Sequence, residues 1–302
     1  MLKVPVTVIM LTLNEEINLP RAIDNIKNWA EEIFIVDSCS SDQTVDIALE
    51  NGINIVQRPF TNFGDQWNFA LEKLPIKTEW VMKLDPDERL SPELMTEIEK
   101  LLKTNPVCNG YSMDLRLWFI GKPLHVKLHL LRLWRTGKCK FSNVIVNEHP
   151  IIDGSLGKLK NFMEHHDSHN LYHWYEKQNR YTTMEAIMKF RGDKLSAEPK
   201  IFGSALQRRM FLKKTFYKIP FRYQLQWLYE IIVHSAWKDG VRGTSWARLR
   251  VDVMRTIELK HKEILTTGKT PSLPKNISRA YDQRVLSSPL QKIVGINNTN
   301  QS

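Results

Sequence analysis

The sequence is short of cysteine: Cys39, Cys108 and Cys139 are the only three in 302 residues, and no two stand in a C-x-x-C spacing. That set builds neither a zinc site nor a disulfide framework and fits a reducing compartment. No apolar run approaches the roughly 20 residues a membrane-spanning helix needs. The opening stretch MLKVPVTVIMLTLNEE is apolar but too short for a signal peptide, and it runs straight into acid. The sequence also lacks G-x-G-x-x-G after its first predicted strand, which argues against a dinucleotide-dependent oxidoreductase. The turn at that place, Leu13-Asn14-Glu15-Glu16, has no glycine and no base. A nucleotidyltransferase commonly has a Gly-rich loop followed by basic residues there. There is no internal repeat, and no helix-turn-helix, RRM or zinc-finger pattern to support nucleic-acid binding.

What is present is an alternation of strands and helices. Val6 to Leu13 is a β-branched run that reads as a buried strand. A helix follows, with Leu19, Ala22, Ile23, Ile26, Trp29 and Ala30 on its apolar face and Pro20 in its first turn. Further strands are expected at Glu32 to Asp37, Ile53 to Gln57 and Trp80 to Leu84. Between them lie a helix capped by Ser40 or Ser41 and stopped at Gly52, and another from Asp65 to Leu74. Ser91-Pro92 opens a helix through Leu102. This spacing predicts a mostly parallel sheet with helices on both faces, whose ligands bind beyond the carboxyl ends of the strands. Asn14-Glu15, Asp37-Ser38 and Asp85 to Glu88 all fall at such ends, so three acidic-polar clusters converge on one edge.

After Gly110 the pattern changes to alternating and short strand segments: Tyr111 to Phe119, HLLRLWR, VIVNEHP and LGKLKN. From Leu171 the chain reads as helices rich in aromatics and bases. Net charge is +10, and 17 basic against 6 acidic side chains lie between Met188 and Lys262, so the remainder is nearly neutral. A basic third of this kind suggests an anionic partner. Mixed with Phe211, Phe216, Phe221, Trp227 and Trp237, it suits helices lying in an anionic membrane interface, or else helices packed on the rest of the protein. The expected division is a catalytic domain over 1–170, nucleotide-binding over 1–110 and acceptor- and metal-binding over 111–170. A basic helical region over 171–266 and a loose tail over 267–302 complete it.

Asp85-Pro86-Asp87 carries the most chemistry. Two carboxylates two residues apart on a turn can hold Mg²⁺ or Mn²⁺ while a bound diphosphate completes the coordination. By itself D-x-D is a common acidic turn. Its place after a fourth parallel strand gives it meaning.

The segments TLNEE (12–16), VDSCSSDQT (36–44), FGDQWNFAL (63–71) and LDPDER (84–89) together resemble glycosyltransferase family 2. The stretch from VNEHP through LKNFMEHHDSHNLYHWYEKQNRYT is similar to a bacterial branch that includes lipopolysaccharide-core β-glucosyltransferases. The resemblance implies a GT-A, Rossmann-like α/β fold: a mixed, mostly parallel sheet flanked by helices, here with a helical, basic C-terminal extension. It implies transfer of a sugar from a nucleotide-sugar, a UDP-sugar by expectation, to a cell-envelope glycan or glycolipid, with a divalent cation as cofactor. On it, Leu13, Asn14 and Glu15 border the nucleotide, and Asp37 accepts a hydrogen bond from the base. Gly64, Gln66 and Asn68 lie along the nucleotide and diphosphate, with Gln66 standing where many relatives carry Arg or Lys. Asp85 touches ribose and metal, and Asp87 is the main protein ligand to the metal.

Family members of this type invert the anomeric carbon and need a base for the acceptor hydroxyl. Glu148 is the candidate, with Asp114 and Glu164 as rivals; the alternative for Glu148 is a surface salt-bridge partner. Relatives often carry His where this chain has Asn147. Within His165-His166-Asp167-Ser168-His169, His165 aligns best with a late metal-ligating histidine, the alternative being a supporting or capping role. The expected setting is cytoplasmic, peripheral on the inner face of the cytoplasmic membrane, with no nucleic acid as partner. Non-catalytic binding of a nucleotide-sugar or an anionic surface is the alternative activity.

Overall fold

The computed structural model describes residues 3–142, 149–168, 170–192, 198–203 and 205–271. Its centre is strand β1 (Val4–Thr12), whose residues are buried almost throughout. That is the signature of a parallel strand covered on both faces. β2 (Ala30–Asp37), β3 (Asn54–Gln57) and β4 (Trp80–Lys83) run parallel to it. β5 (Glu88–Leu90), β6 (Gly110–Phe119), β7 (Lys122–Arg135) and β10 (Leu156–His165) extend the sheet on the far side of β4. The order is β3-β2-β1-β4-β7-β6-β10-β5, with β7 and β5 running against the rest. β8 (Cys139–Phe141) and β9 (Pro150–Ile152) form a separate two-stranded ribbon.

Helices α1 (Leu19–Ile26), α2 (Thr44–Glu50), α3 (Phe63–Lys73) and α4 (Pro92–Leu102) follow their strands. α1 buries Leu19, Ala22, Ile23 and Ile26, one stripe at helical spacing. It stops short of Trp29 and Ala30, which the apolar pattern had placed in the helix. The Val4 N–H takes the Trp29 carbonyl, so the chain is already joining the sheet there. α2 starts at Thr44 with no side-chain cap. Ser40 and Ser41 instead tie the β2–α2 turn to the β1–α1 turn, as described below. Asn62 and Ser91 cap α3 and α4 by accepting from the N–H groups of Asp65 and Leu94.

Two apolar cores sandwich the sheet. One joins Val8, Met10, Ile23, Ile35, Leu94, Met113 and Met163. The other joins Ile9, Phe34, Trp67, Val81, Trp134 and Phe141. The structure lengthens two of the short predicted strands. β7 begins at Lys122, because Ile120 and Gly121 both take positive φ and close a tight hairpin with β6. β10 continues past LGKLKN to His165 and so delivers the histidine cluster to the sheet edge.

The C-terminal helices are α5 (Leu171–Arg191), α6 (Ala205–Thr215), α7 (Arg222–Leu228) and α8 (Gly240–Thr267). α5 and α8 dock near the start of α3 through Phe60, Met184, Ile187 and Ile264. The segment between α7 and α8 docks on the β6–β7 hairpin, where Ala236 and Ile231 meet Leu117, Phe119 and Leu124. Gly243 permits that second joint: a Cβ there would lie 1.7 Å from the Ala236 carbonyl oxygen. Among the described residues no helix is long and apolar enough to cross a membrane.

Candidate active site

The carboxyl ends of β1, β2 and β4 lie side by side, and the turns that leave them make two half-sites. The first joins β1 and β2. Asn14, at φ 55°, donates its N–H to Ser40 Oγ and accepts from the Ser41 N–H. Glu15 N–H donates to Thr44 Oγ1, and Glu16 N–H to Asp42. Asp37 is fully buried and accepts four hydrogen bonds. Thr12 and Ser40 hydroxyls meet Oδ1; the Ser40 N–H and the Gln57 amide meet Oδ2. Gln66, equally buried, accepts from Arg58 Nη1 at 2.7 Å and donates to Ser38 Oγ. Arg58 also pairs with Asp65 at 2.7 Å. The basic group absent at position 66 is thus present from the strand side, a replacement that sequence alone did not reveal. Gly64 is buried in the first turn of α3. Leu13 is half-buried beside Asn14. Asn68 spends both ends of its amide on the Phe141 backbone, at 3.0 and 2.8 Å, and so fastens the β8–β9 ribbon to α3.

The second half-site is built on the Asp85–Glu88 turn. Glu88 folds back so that its carboxylate accepts from the Asp85 N–H, while the Glu88 N–H donates to the Asp85 carbonyl. Arg132, projecting from β7, donates from one nitrogen to Asp85 Oδ2 (3.0 Å) and Glu88 Oε1. Arg89 clasps the turn from outside through the Pro86 and Glu88 carbonyls. Burial pushes the Glu88 carboxyl up to about 7 against the pull of Arg132. Burial raises Asp85 as well, but Lys83 and Arg132 outweigh it and hold that carboxyl below the usual range.

Strand register completes the site. β5 and β10 pair with Glu88 opposite His165, and the His166 N–H donates to the Asp87 carbonyl at 2.8 Å. His165 Nε2 therefore stands 3.2 Å from Asp87 Oδ2 and 3.9 Å from Asp167 Oδ1. Asp87, His165 and Asp167 offer three ligand atoms within 4.8 Å of one another. Burial opposes a charged imidazole here, but Asp87, Asp167 and Glu88 raise His165 to about 9. Its Nδ1 is buried with no hydrogen-bond partner among the described residues. Lys177 reaches in from α5, its Nζ paired with Asp167 and 3.7 Å from Asp87. Those carboxylates outweigh burial and hold the Lys177 ammonium above its ordinary range.

Of the expected site residues, the structure thus brings Asp87 and His165 together, with Asp85 on the adjoining face against Arg132. Glu148 and Asn147 lie outside the described residues. Asp114 is taken up by His129, Lys127 and Lys158. Glu164 pairs with His166, whose ring stacks on Trp118. Arg132, Asp167 and Lys177 belong to the site and were not singled out from sequence. The trace of Arg132 is a base inside the apolar run Leu130-Leu131-Arg132-Leu133-Trp134.

The candidate ligands among the described residues are two carboxylates and an imidazole, with no thiol in the group, a donor set that suits Mn²⁺ and tolerates Mg²⁺. The residues present fit the cation that the sequence resemblance implied.

Comparison with known proteins identifies the family. An uncharacterized glycosyltransferase of Rickettsia prowazekii (strain Madrid E) is 26% identical over 281 residues, 87% of this chain and 90% of its own. The lipopolysaccharide core biosynthesis glycosyltransferase LpsC of Rhizobium meliloti (strain 1021) is 26% identical over 80% of this chain and 86% of its own. Among solved structures, glucosyl-3-phosphoglycerate synthase from Mycobacterium tuberculosis overlaps 37% of this chain and 44% of its own, at 22% identity and a TM-score of 0.32, too partial a match to bear on the site. The model of Glycosyl transferase family 2 matches residues 7–230, which span both half-sites, and the chain belongs to that family.

Proposed function

We propose that this glycosyltransferase moves a sugar from a UDP-sugar to a cell-envelope glycan acceptor such as lipopolysaccharide core, with inversion at the anomeric carbon. The observation that carries the reading is the β5–β10 register, which sets His165 and Asp167 against Asp87 at the edge where the β1 and β2 turns also open. The relation to LpsC over most of both chains supports an envelope acceptor.

In this reading Leu13, Asn14 and Glu15 border the nucleotide and Asp37 meets its base, with Gly64, Gln66 and Asn68 along the nucleotide and diphosphate. Asp87, His165 and Asp167 hold a divalent cation, whose charge offsets that developing on the leaving diphosphate. Asp85 faces the donor and is oriented by Arg132. The acceptor hydroxyl oxygen forms the new bond to the anomeric carbon as the bond to the diphosphate oxygen breaks. Its proton passes to a carboxylate on the opposite face, for which Glu148 is our candidate.

Calorimetric titration with UDP, then GDP, each with and without Mn²⁺, tests the donor site. UDP binding that depends on metal is expected. Asp87→Ala is expected to lose that dependence and to keep less than a tenth of wild-type turnover at saturating metal, with unchanged thermal unfolding. A variant that transfers sugar above that level removes Asp87 from the metal site.

A separate observation bears on where the acceptor is met. Phe221, Ile232, Val233, Trp237 and Val241 are exposed while Ala236 between them faces the core. Lys218 and Lys238 stand exposed in the same segment. Apolar side chains interleaved with bases match an anionic membrane surface, here the inner face of the cytoplasmic membrane. Co-sedimentation with vesicles containing phosphatidylglycerol is expected, weakening with salt, and Trp237→Ser with Ile232→Ser is expected to lower it at least about fivefold. Equal binding to neutral vesicles rejects the electrostatic part.

A further inference from the structure

Lys177 is an unusual neighbour for a cation site. Its stem lies in α5, part of the C-terminal helical region, and its side chain is only 13% exposed. Its ammonium reaches both carboxylates of the candidate metal cluster and no other acid among the pairs described. α5 is not free to swing it away. Asn170 caps the helix at one end, and Met184 and Ile187 anchor it against Phe60 further along. The region outside the classical sheet therefore contributes a fixed positive charge to the centre of the site.

The charges decide what that ammonium does. Asp87 and Asp167 carry −2 together, Lys177 carries +1, and a ligating His165 is neutral. A divalent ion that enters alone and displaces the His165 proton meets a site of net −1 rather than −2, with a like charge a few ångströms off. Once the ion is in place the site stands at net +1. A diphosphate, with several negative charges, is then drawn to both cations.

We infer that Lys177 is a donor-site cation that disfavours metal binding to the empty enzyme and contacts the diphosphate of the bound donor, so that metal and nucleotide are retained together. This rests on the functional reading above, and it assigns that site an ordering element supplied by α5. Without Lys177 the metal could be held by the free protein, and the departing diphosphate would lose one of its two positive partners.

The test is a pair of affinities in Lys177→Met, which keeps the apolar stem and removes the charge. Mn²⁺ alone, followed by calorimetry or by the loss of its free-ion electron paramagnetic resonance signal, is expected to bind about tenfold tighter than in wild type. UDP at saturating Mn²⁺ is expected to bind about tenfold weaker. Lys177→Arg, which keeps the charge, should stay within about threefold of wild type in both. Opposite signs support the inference, because a purely structural role moves both affinities the same way. If both weaken, Lys177 merely holds the carboxylates in place; if both tighten, it competes with metal and never meets the diphosphate; if neither moves, it is a spectator. Each of those three outcomes overturns the proposal. Wild-type protein that binds neither Mn²⁺ nor UDP fails the functional reading itself, before Lys177 is reached.

Discussion

The two half-sites share one sheet edge but are held by different physics. On the β1–β2 side the bonds are short crossings between neighbouring turns, and nearly every donor has an acceptor. Asp37 accepts four, and Asn14, Ser40, Ser41 and Thr44 interlock. On the β4–β10 side the contacts of Arg132, His165 and Lys177 with the Asp85–Glu88 turn join residues at least 44 positions apart, and most of the groups are ionised. The first is a hydrogen-bonded cradle whose bonds are complete within the protein. The second is a cluster of carboxylates balanced by Arg132 and Lys177, with room in its logic for one more cation. The difference teaches which half binds by fitting and which by charge.

The sharpest way to break the charged half is Arg132→Met. It leaves Glu88 buried, and Asp85 half-buried, without their guanidinium. Removing one partner of a buried pair costs about 3–5 kcal/mol. The low end is expected here, because Glu88 at about 7 can take a proton instead of remaining a bare charge. Urea unfolding of wild type and variant in metal-free buffer checks this. A loss under about 1 kcal/mol would show the pair to be solvated and the contrast between the halves to be false.

Asp37→Asn sets the hydrogen-bonded half against that value. The Ser40 N–H can only donate, so the new side chain must turn its carbonyl oxygen to that group and to the Gln57 NH₂ beside it. Its NH₂ then faces the hydroxyls of Thr12 and Ser40, which can turn to accept. The substitution is therefore expected to cost only about 1 kcal/mol of stability and to leave Mn²⁺ affinity unchanged. UDP affinity, measured with metal saturating, should fall if the same carboxylate meets the base. A change in metal affinity would mean that the halves are coupled through the sheet.

How much of this was legible follows from the same contrast. The β1–β2 half is written locally: an apolar run, a polar turn and a helix, three times over, placed Asn14, Asp37 and Asp85 on one edge before any coordinates. The charged half depends on register. His165 comes from its match to the branch pattern, and Asp167 lies in the same sequence cluster but takes no role from it; Arg132 and Lys177 take none either. Nothing in the spacing says that β10 pairs with β5 so that residue 165 falls opposite residue 88. Nor does a lysine on an amphipathic helix announce that its ammonium points inward. Gln66 misled in the other direction: its own residue type argued against a basic group, while Arg58 brings one from the neighbouring strand.

A third cluster separates charge itself from charge that awaits a cation. Glu258 on α8 is buried and accepts from Arg222 at 2.7 Å, from Lys262 at 2.8 Å and from the Tyr223 hydroxyl. Burial raises its carboxyl, but the bonds from Lys262, Tyr223 and Arg222 prevail and bring it down to about 2. A carboxyl depressed in the folded state contributes stability above its unfolded value of about 4.5 and loses it as pH falls toward about 2. Glu258→Gln should therefore flatten the stability profile in that acid window and cost under about 1 kcal/mol at neutral pH, since solvent reaches Lys262. Because its cations already outnumber its acid, this cluster has no use for a metal, and Mn²⁺ affinity should not respond. Acid-window unfolding and a Mn²⁺ titration on the same variant check both halves of the statement. A shift in metal affinity would show that helix α8 reaches the site through α5, and that the charged half-site extends well past the residues that line it.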